Sequence, residues 1–94
     1  MSLSHNSYFD DHVQSIGFET ETSRFTVGVM TPGEYTFGTE APERVTVSLG
    51  ELVVRLPGSD EWVSHPAGSV FEVSGSSAFD LKVAANTAYV CEYL

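Results

Sequence analysis

Apolar and polar residues alternate along short stretches of this chain, and Gly or Pro interrupts the alternation every eight to twelve residues. A period of two places successive side chains on opposite faces of a strand, and breaks at that spacing belong to a sandwich or barrel rather than to helices. The pattern predicts strands at 13–18, 24–30, 34–38, 44–49, 51–56, 61–64, 69–73, 78–83 and 87–93, and no helix. Phe25, Val27 and Val29 share one face of their strand, as do Tyr35, Phe37 and Thr39, and likewise Val45, Val47 and Leu49. The breaks at Thr31-Pro32-Gly33, Leu49-Gly50-Glu51, Pro57-Gly58-Ser59-Asp60, Pro66-Ala67-Gly68 and Ser74-Gly75-Ser76-Ser77 read as turns between neighbouring antiparallel strands. The polar stretch Met1–Ser7 reads as a frayed end.

With 94 residues the expectation is a single domain, 1–94, with one core to which the scattered aromatic residues contribute. No apolar run approaches the roughly 18 residues of a spanning helix, and the N-terminus lacks the basic-then-apolar order of a secretory signal, so a cytoplasmic location is expected. Charge narrows the partners further. Thirteen carboxylates against four cations give a net charge of −9, which repels nucleic acid and anionic membranes alike. A bound phosphate would have to be held by Arg24, Arg44, Arg55, Lys82 or backbone N–H groups. The lone Cys91, in the apolar run Ala88-Tyr89-Val90-Cys91 with no His, Lys or Arg nearby, reads as a buried strand residue and not a nucleophile. His5, His12 and His65 do not have the spacing of a zinc site.

The stretch Gly33-Glu34-Tyr35-Thr36-Phe37-Gly38-Thr39, followed by Pro42-Glu43 and Gly50, resembles the first motif of a cupin barrel, and Pro66-Ala67-Gly68 resembles the turn of the second. Thr39, Ala41 and Phe71 stand where a metal-binding cupin carries histidines, so no metal is expected. Further patterns follow in order: Ser15-Ile16-Gly17-Phe18, Val27-Gly28-Val29-Met30, Val45-Thr46-Val47, Ala67-Gly68-Ser69-Val70-Phe71-Glu72-Val73 and Tyr93-Leu94. Together they resemble the pyrimidine/purine nucleoside phosphorylase family of small bacterial cupins, from about Tyr8 onward. One departure is visible, Val73-Ser74-Gly75 in place of a Val-Pro-Gly turn, which loosens that turn. The resemblance implies an all-β fold, a single small cupin of RmlC-like jelly-roll type with an antiparallel β-barrel. It also implies a cytoplasmic homodimer without metal or other cofactor. With phosphate as co-substrate, such a protein cleaves purine and pyrimidine nucleosides to the free base and α-D-(deoxy)ribose 1-phosphate.

That reaction passes through a sugar with oxocarbenium character, so it needs a held phosphate, a group that stabilises positive charge and a surface for the departing base. Arg24 is the first choice for phosphate, because a planar guanidinium grips an oxyanion through two N–H groups and family members carry a basic residue before the Val-Gly-Val-Met strand. Arg44 ranks second among substrate-binding candidates, since it follows Glu43 and is equally explained by pairing with a carboxylate. Glu43 stands at the position of the motif glutamate and is expected to contact the ribose or the developing cation. Tolerance of both base types calls for a flat π surface, to which Tyr35, Phe37, Phe71 and Phe79 are assigned, with the Thr39 hydroxyl near the mouth. The plainer readings are a strand-end arginine, a loop glutamate and core aromatics. The rival function is a non-catalytic cupin that binds a small sugar or nucleotide-derived ligand.

Overall fold

Ten strands and no helix make up the computed structural model, which describes residues 2–94. They are β1 (Ser4–Tyr8), β2 (Val13–Glu19), β3 (Arg24–Met30), β4 (Gly33–Thr39), β5 (Glu43–Leu49), β6 (Glu51–Arg55), β7 (Val63–Pro66), β8 (Val70–Val73), β9 (Ser77–Val83) and β10 (Thr87–Tyr93). A six-stranded sheet has the order β1-β2-β3-β10-β5-β8, a four-stranded sheet has the order β4-β9-β6-β7, and every pairing is antiparallel. The all-β antiparallel class is as expected, but the pairings among the described residues leave the two sheets separate rather than closed into a continuous barrel. Their inner faces share one core, with Val13, Val47, Leu52, Val54 and Leu81 almost wholly buried.

Three local expectations change. The N-terminal segment is not frayed: Ser4–Tyr8 pairs residue for residue with residues 13–17 of β2, from Ser4 opposite Gly17 to Tyr8 opposite Val13. Its polar residues are those of an edge strand, which needs hydrogen bonds on one side only; Met1 lies outside the described residues. Among the turns read from Gly and Pro, Pro57–Asp60 joins the paired strands β6 and β7, whereas the other four carry the chain from one sheet to the other. Gly50 shows why such a corner needs glycine: its φ is +79°, and a Cβ there would stand 2.4 Å from Thr87 Oγ1. Finally, the apolar face of β3 points outward. Val27 and Val29 are exposed, while Thr26, Gly28 and Met30 face inward. Periodicity identified the two faces of that strand but not which one is covered.

Candidate active site

Sheet register aligns the polar residues of the inner face. Arg24, Tyr93 and Glu43 lie directly opposite one another across β3, β10 and β5, and the next inward row is Thr26, Cys91 and Val45. A third row follows with Gly28, Tyr89 and Val47. Tyr89 lies across the bare backbone of Gly28, where a Cβ would come within 2.5 Å of its hydroxyl. That hydroxyl interacts with Ser15 of β2. Only glycine leaves room for this arrangement.

Between this hydroxyl- and carboxyl-bearing wall and the facing sheet is a cavity of about 400 Å³, within the range of small-molecule sites. Ser15, Thr26, Glu43, Tyr89, Cys91 and Tyr93 line one side. Phe37, Phe79, Leu52 and Leu81 line the other, with Phe71 from the edge of the six-stranded sheet. The aromatic rings form a connected run, Phe37 to Phe79 at 6.1 Å and Phe79 to Phe71 at 6.3 Å between centroids. Tyr8 and Phe9 of the first hairpin pack edge-on against Phe37 at 5.8 and 5.4 Å and complete the rim. Phe9, Asp10 and Asp11 all have positive φ, so the chain bends sharply there to bring Phe9 against the cavity.

The electrostatics follow from burial. Glu43 is half-buried and burial raises its proton affinity above the ordinary carboxylate value, opposed by a hydrogen bond from Cys91 Sγ to Glu43 Oε1 at 3.3 Å. Burial pushes the Cys91 thiol up to about 12, with the Glu43 carboxylate adding to the effect, so the sulfur stays protonated and acts as a donor. Tyr93 is likewise raised by burial. Among the residues lining this cavity there is no Arg, Lys or His. Among the described residues, no group of three or more His, Cys, Asp or Glu side chains is gathered as a metal site would require.

Four of the eight residues singled out from sequence, Glu43, Phe37, Phe71 and Phe79, converge on the cavity. The other four lie elsewhere. Arg24 is on the same inner row as Glu43 but at the end of the sheet, two strands away, with its guanidinium 5.2 Å from the Tyr93 ring centroid. Arg44 is on the opposite, outer face, where it pairs with Glu72 at 3.1 Å and Glu92 at 3.2 Å, because it is adjacent in sequence to an inward residue. Tyr35 is buried in the core and donates its hydroxyl proton to the Thr31 carbonyl at 2.7 Å. Thr39 does not reach the mouth; it donates to Ser74 O at 2.7 Å and accepts from Ser77 N at 3.1 Å, fastening the turn between β8 and β9.

Sequence reasoning missed Ser15, Thr26, Tyr89, Cys91 and Tyr93. A signal was present: Tyr89, Cys91 and Tyr93 alternate along β10, and Thr26 shares parity with Gly28 and Met30. Small and polar residues on the covered face of an apolar strand mark a wall that is not simply packed core.

The sequence profile described as pyrimidine/purine nucleoside phosphorylase matches residues 3–93. A protein of that name from Sorangium cellulosum (strain So ce56) is 53% identical over 92 residues, covering 98% of this chain and 99% of the relative. The crystal structure of a protein of unknown function from Vibrio parahaemolyticus is similar with a TM-score of 0.97 and 51% identity, covering all of both chains. A cupin superfamily protein from Desulfitobacterium hafniense DCB-2 shares the fold, with a TM-score of 0.74 at 10% identity over 95% of this chain and 83% of its own.

Proposed function

The chain belongs to the pyrimidine/purine nucleoside phosphorylase family, matched along residues 3–93, and from that premise we propose that it cleaves nucleosides of both base types with inorganic phosphate. The single observation that carries this reading beyond the family is the two-walled cavity, with aromatic rings facing a carboxylate and hydroxyls. A nucleoside has the same division. Its base is flat and offers a π face to Phe37, Phe79 and Phe71, while its sugar offers hydroxyls to Glu43 and Tyr93.

In this reading the bond between C1′ and the base nitrogen breaks, its electron pair leaves with the base, and a phosphate oxygen forms the new bond to C1′. The departing base takes up a proton, and the products are free base and pentose 1-phosphate. Glu43, as a carboxylate in a partly desolvated wall, stabilises the positive charge that develops on the sugar. Phosphate approaches from the Arg24 end of the same row, past Tyr93. Arg44, held by two carboxylates on the outer face, has no part in substrate binding.

The protein is further proposed to act as a homodimer through the outer face of the six-stranded sheet. Ile16, Val27, Val90, Thr46 and Val70 lie in one cross-strand row there, apolar but for Thr46, with Val29, Ala88 and Leu49 beside it. An apolar face is the surface on which two copies of so acidic a chain can meet with least repulsion.

Purified protein incubated with inosine or uridine, with and without phosphate, tests the reading directly. Base release that requires phosphate is expected. Intact nucleoside in both arms, together with saturable nucleoside binding, would overturn it in favour of a non-catalytic ligand-binding cupin.

A further inference from the structure

Glu43 is the only carboxylate among the residues lining the cavity, and one of its oxygens is already engaged. Cys91 Sγ donates to Glu43 Oε1 at 3.3 Å from the neighbouring strand. Cys91 is itself buried, with 3% of its surface exposed, and interacts with the hydroxyls of Thr26 and Tyr93. The register fixes this cluster: Cys91 lies opposite Thr26 on one side, and Tyr93 lies opposite Glu43 on the other. The thiol is therefore placed among these partners and would give up its contacts with them if it rotated away.

We propose that Cys91 is a positioning residue for Glu43, whose thiol fixes Oε1 so that the second oxygen is presented to the sugar of a bound nucleoside. A freely rotating carboxylate would sample several staggered side-chain conformations, and holding it in one removes that cost from the reaction. A thiol suits the task because it donates a hydrogen bond yet packs like a small apolar group within the sheet. It also remains a donor at every physiological pH, since burial keeps it protonated. The titratable or charged groups that share this inner face with Glu43 are Tyr8 from β1, Glu19 from β2, Arg24 from β3, and Tyr89, Cys91 and Tyr93 from β10, with Glu19 opposite Arg24 at the far end of the row. Among the lining residues of the facing sheet none is titratable. The Cys91 hydrogen bond is the named contact that lowers the proton affinity of Glu43, so removing it should make Glu43 easier to protonate.

The role of Cys91 in catalysis rests on the phosphorylase reading, but its effect on Glu43 does not, and two measurements separate them. In the first, protein carrying ¹³C-labelled glutamate is titrated by NMR as wild type, Cys91→Val and Cys91→Ser. The Glu43 midpoint should move upward in Cys91→Val and return toward wild type in Cys91→Ser, which keeps a donor. In the second, kcat and KM for inosine phosphorolysis are measured across about pH 5 to 9. Cys91→Val and Cys91→Ala should lower kcat by about tenfold with KM changed by less than about threefold, and should shift the acid limb upward, while Cys91→Ser keeps most of the rate. An unmoved Glu43 midpoint in a folded Cys91→Val protein overturns the inference, whatever the enzyme does. Wild-type kcat and acid limb in Cys91→Ala overturn its catalytic part, and absence of phosphorolysis by the wild type sinks the phosphorylase reading while leaving the titration decisive for the contact.

Discussion

Burial raises the proton affinity of Glu43, so at neutral pH the folded protein holds an ionised carboxylate in a place that disfavours it. The sign of the linkage follows. A carboxyl group raised on folding contributes stability below its unfolded value, and that contribution is lost as pH rises through the folded one. Glu43→Gln should therefore leave melting temperature unchanged near pH 4 and raise it relative to wild type above about pH 5, as calorimetry over that range would show. The same variant should lower turnover by tenfold or more, about 1.4 kcal/mol of transition-state stabilisation. Arg24→Ala tests the other end of the row: KM for phosphate should rise at least tenfold with KM for inosine little changed, and equal effects on both would remove Arg24 from the phosphate path. Glu43 was legible in the sequence from its place in a motif. Cys91 was correctly read as a buried strand residue, yet its partner was not foreseeable, because the contact spans 48 residues of chain and depends on which strands become neighbours.

At the scale of elements, period-two alternation located nine of the ten strands, and only the polar β1 escaped it. An edge strand buries little, so composition carries no sign of it; its register with β2 comes from backbone pairing. Turn chemistry was equally partial. Gly and Pro marked where the chain bends, but not whether it returns along the same sheet or crosses to the other, which depends on how two twisted sheets pack. Thr39 illustrates the consequence. Read as a hydroxyl at the mouth, it instead fastens the corner between β8 and β9 through Ser74 O and Ser77 N. Thr39→Val should cost about 1–3 kcal/mol in chemical denaturation, because two backbone groups lose their partner, with KM for inosine within about twofold of wild type. A large KM change with unaltered stability would restore Thr39 to the site.

The whole molecule has two contrasting surfaces to explain: an outer sheet face that carries an exposed apolar band beside the Arg44–Glu72–Glu92 cluster, and an inner one that is partly polar. Val27 and Val29 are 43% and 51% exposed, so the strand with the clearest alternation displays its apolar side rather than hiding it. Under the proposed dimer that face is covered by a second copy. Val27→Lys should then shift the protein from dimer to monomer in light scattering at micromolar concentration, and a wild-type monomer under the same conditions would refute the assignment. The inner face has a different consequence. To a molecule arriving from water, the cavity presents an oil–water boundary folded into a protein, with phenylalanines on one side and hydroxyls and a carboxylate on the other. An amphiphile orients at such a boundary by partition, ring to the oil and polyol to the wet side, before any individual hydrogen bond is made. On the proposed reading, the arrangement of heteroatoms around the ring then matters little, and even an arene with no ring nitrogen, such as a nitrophenyl riboside, would be held the same way round as a nucleoside.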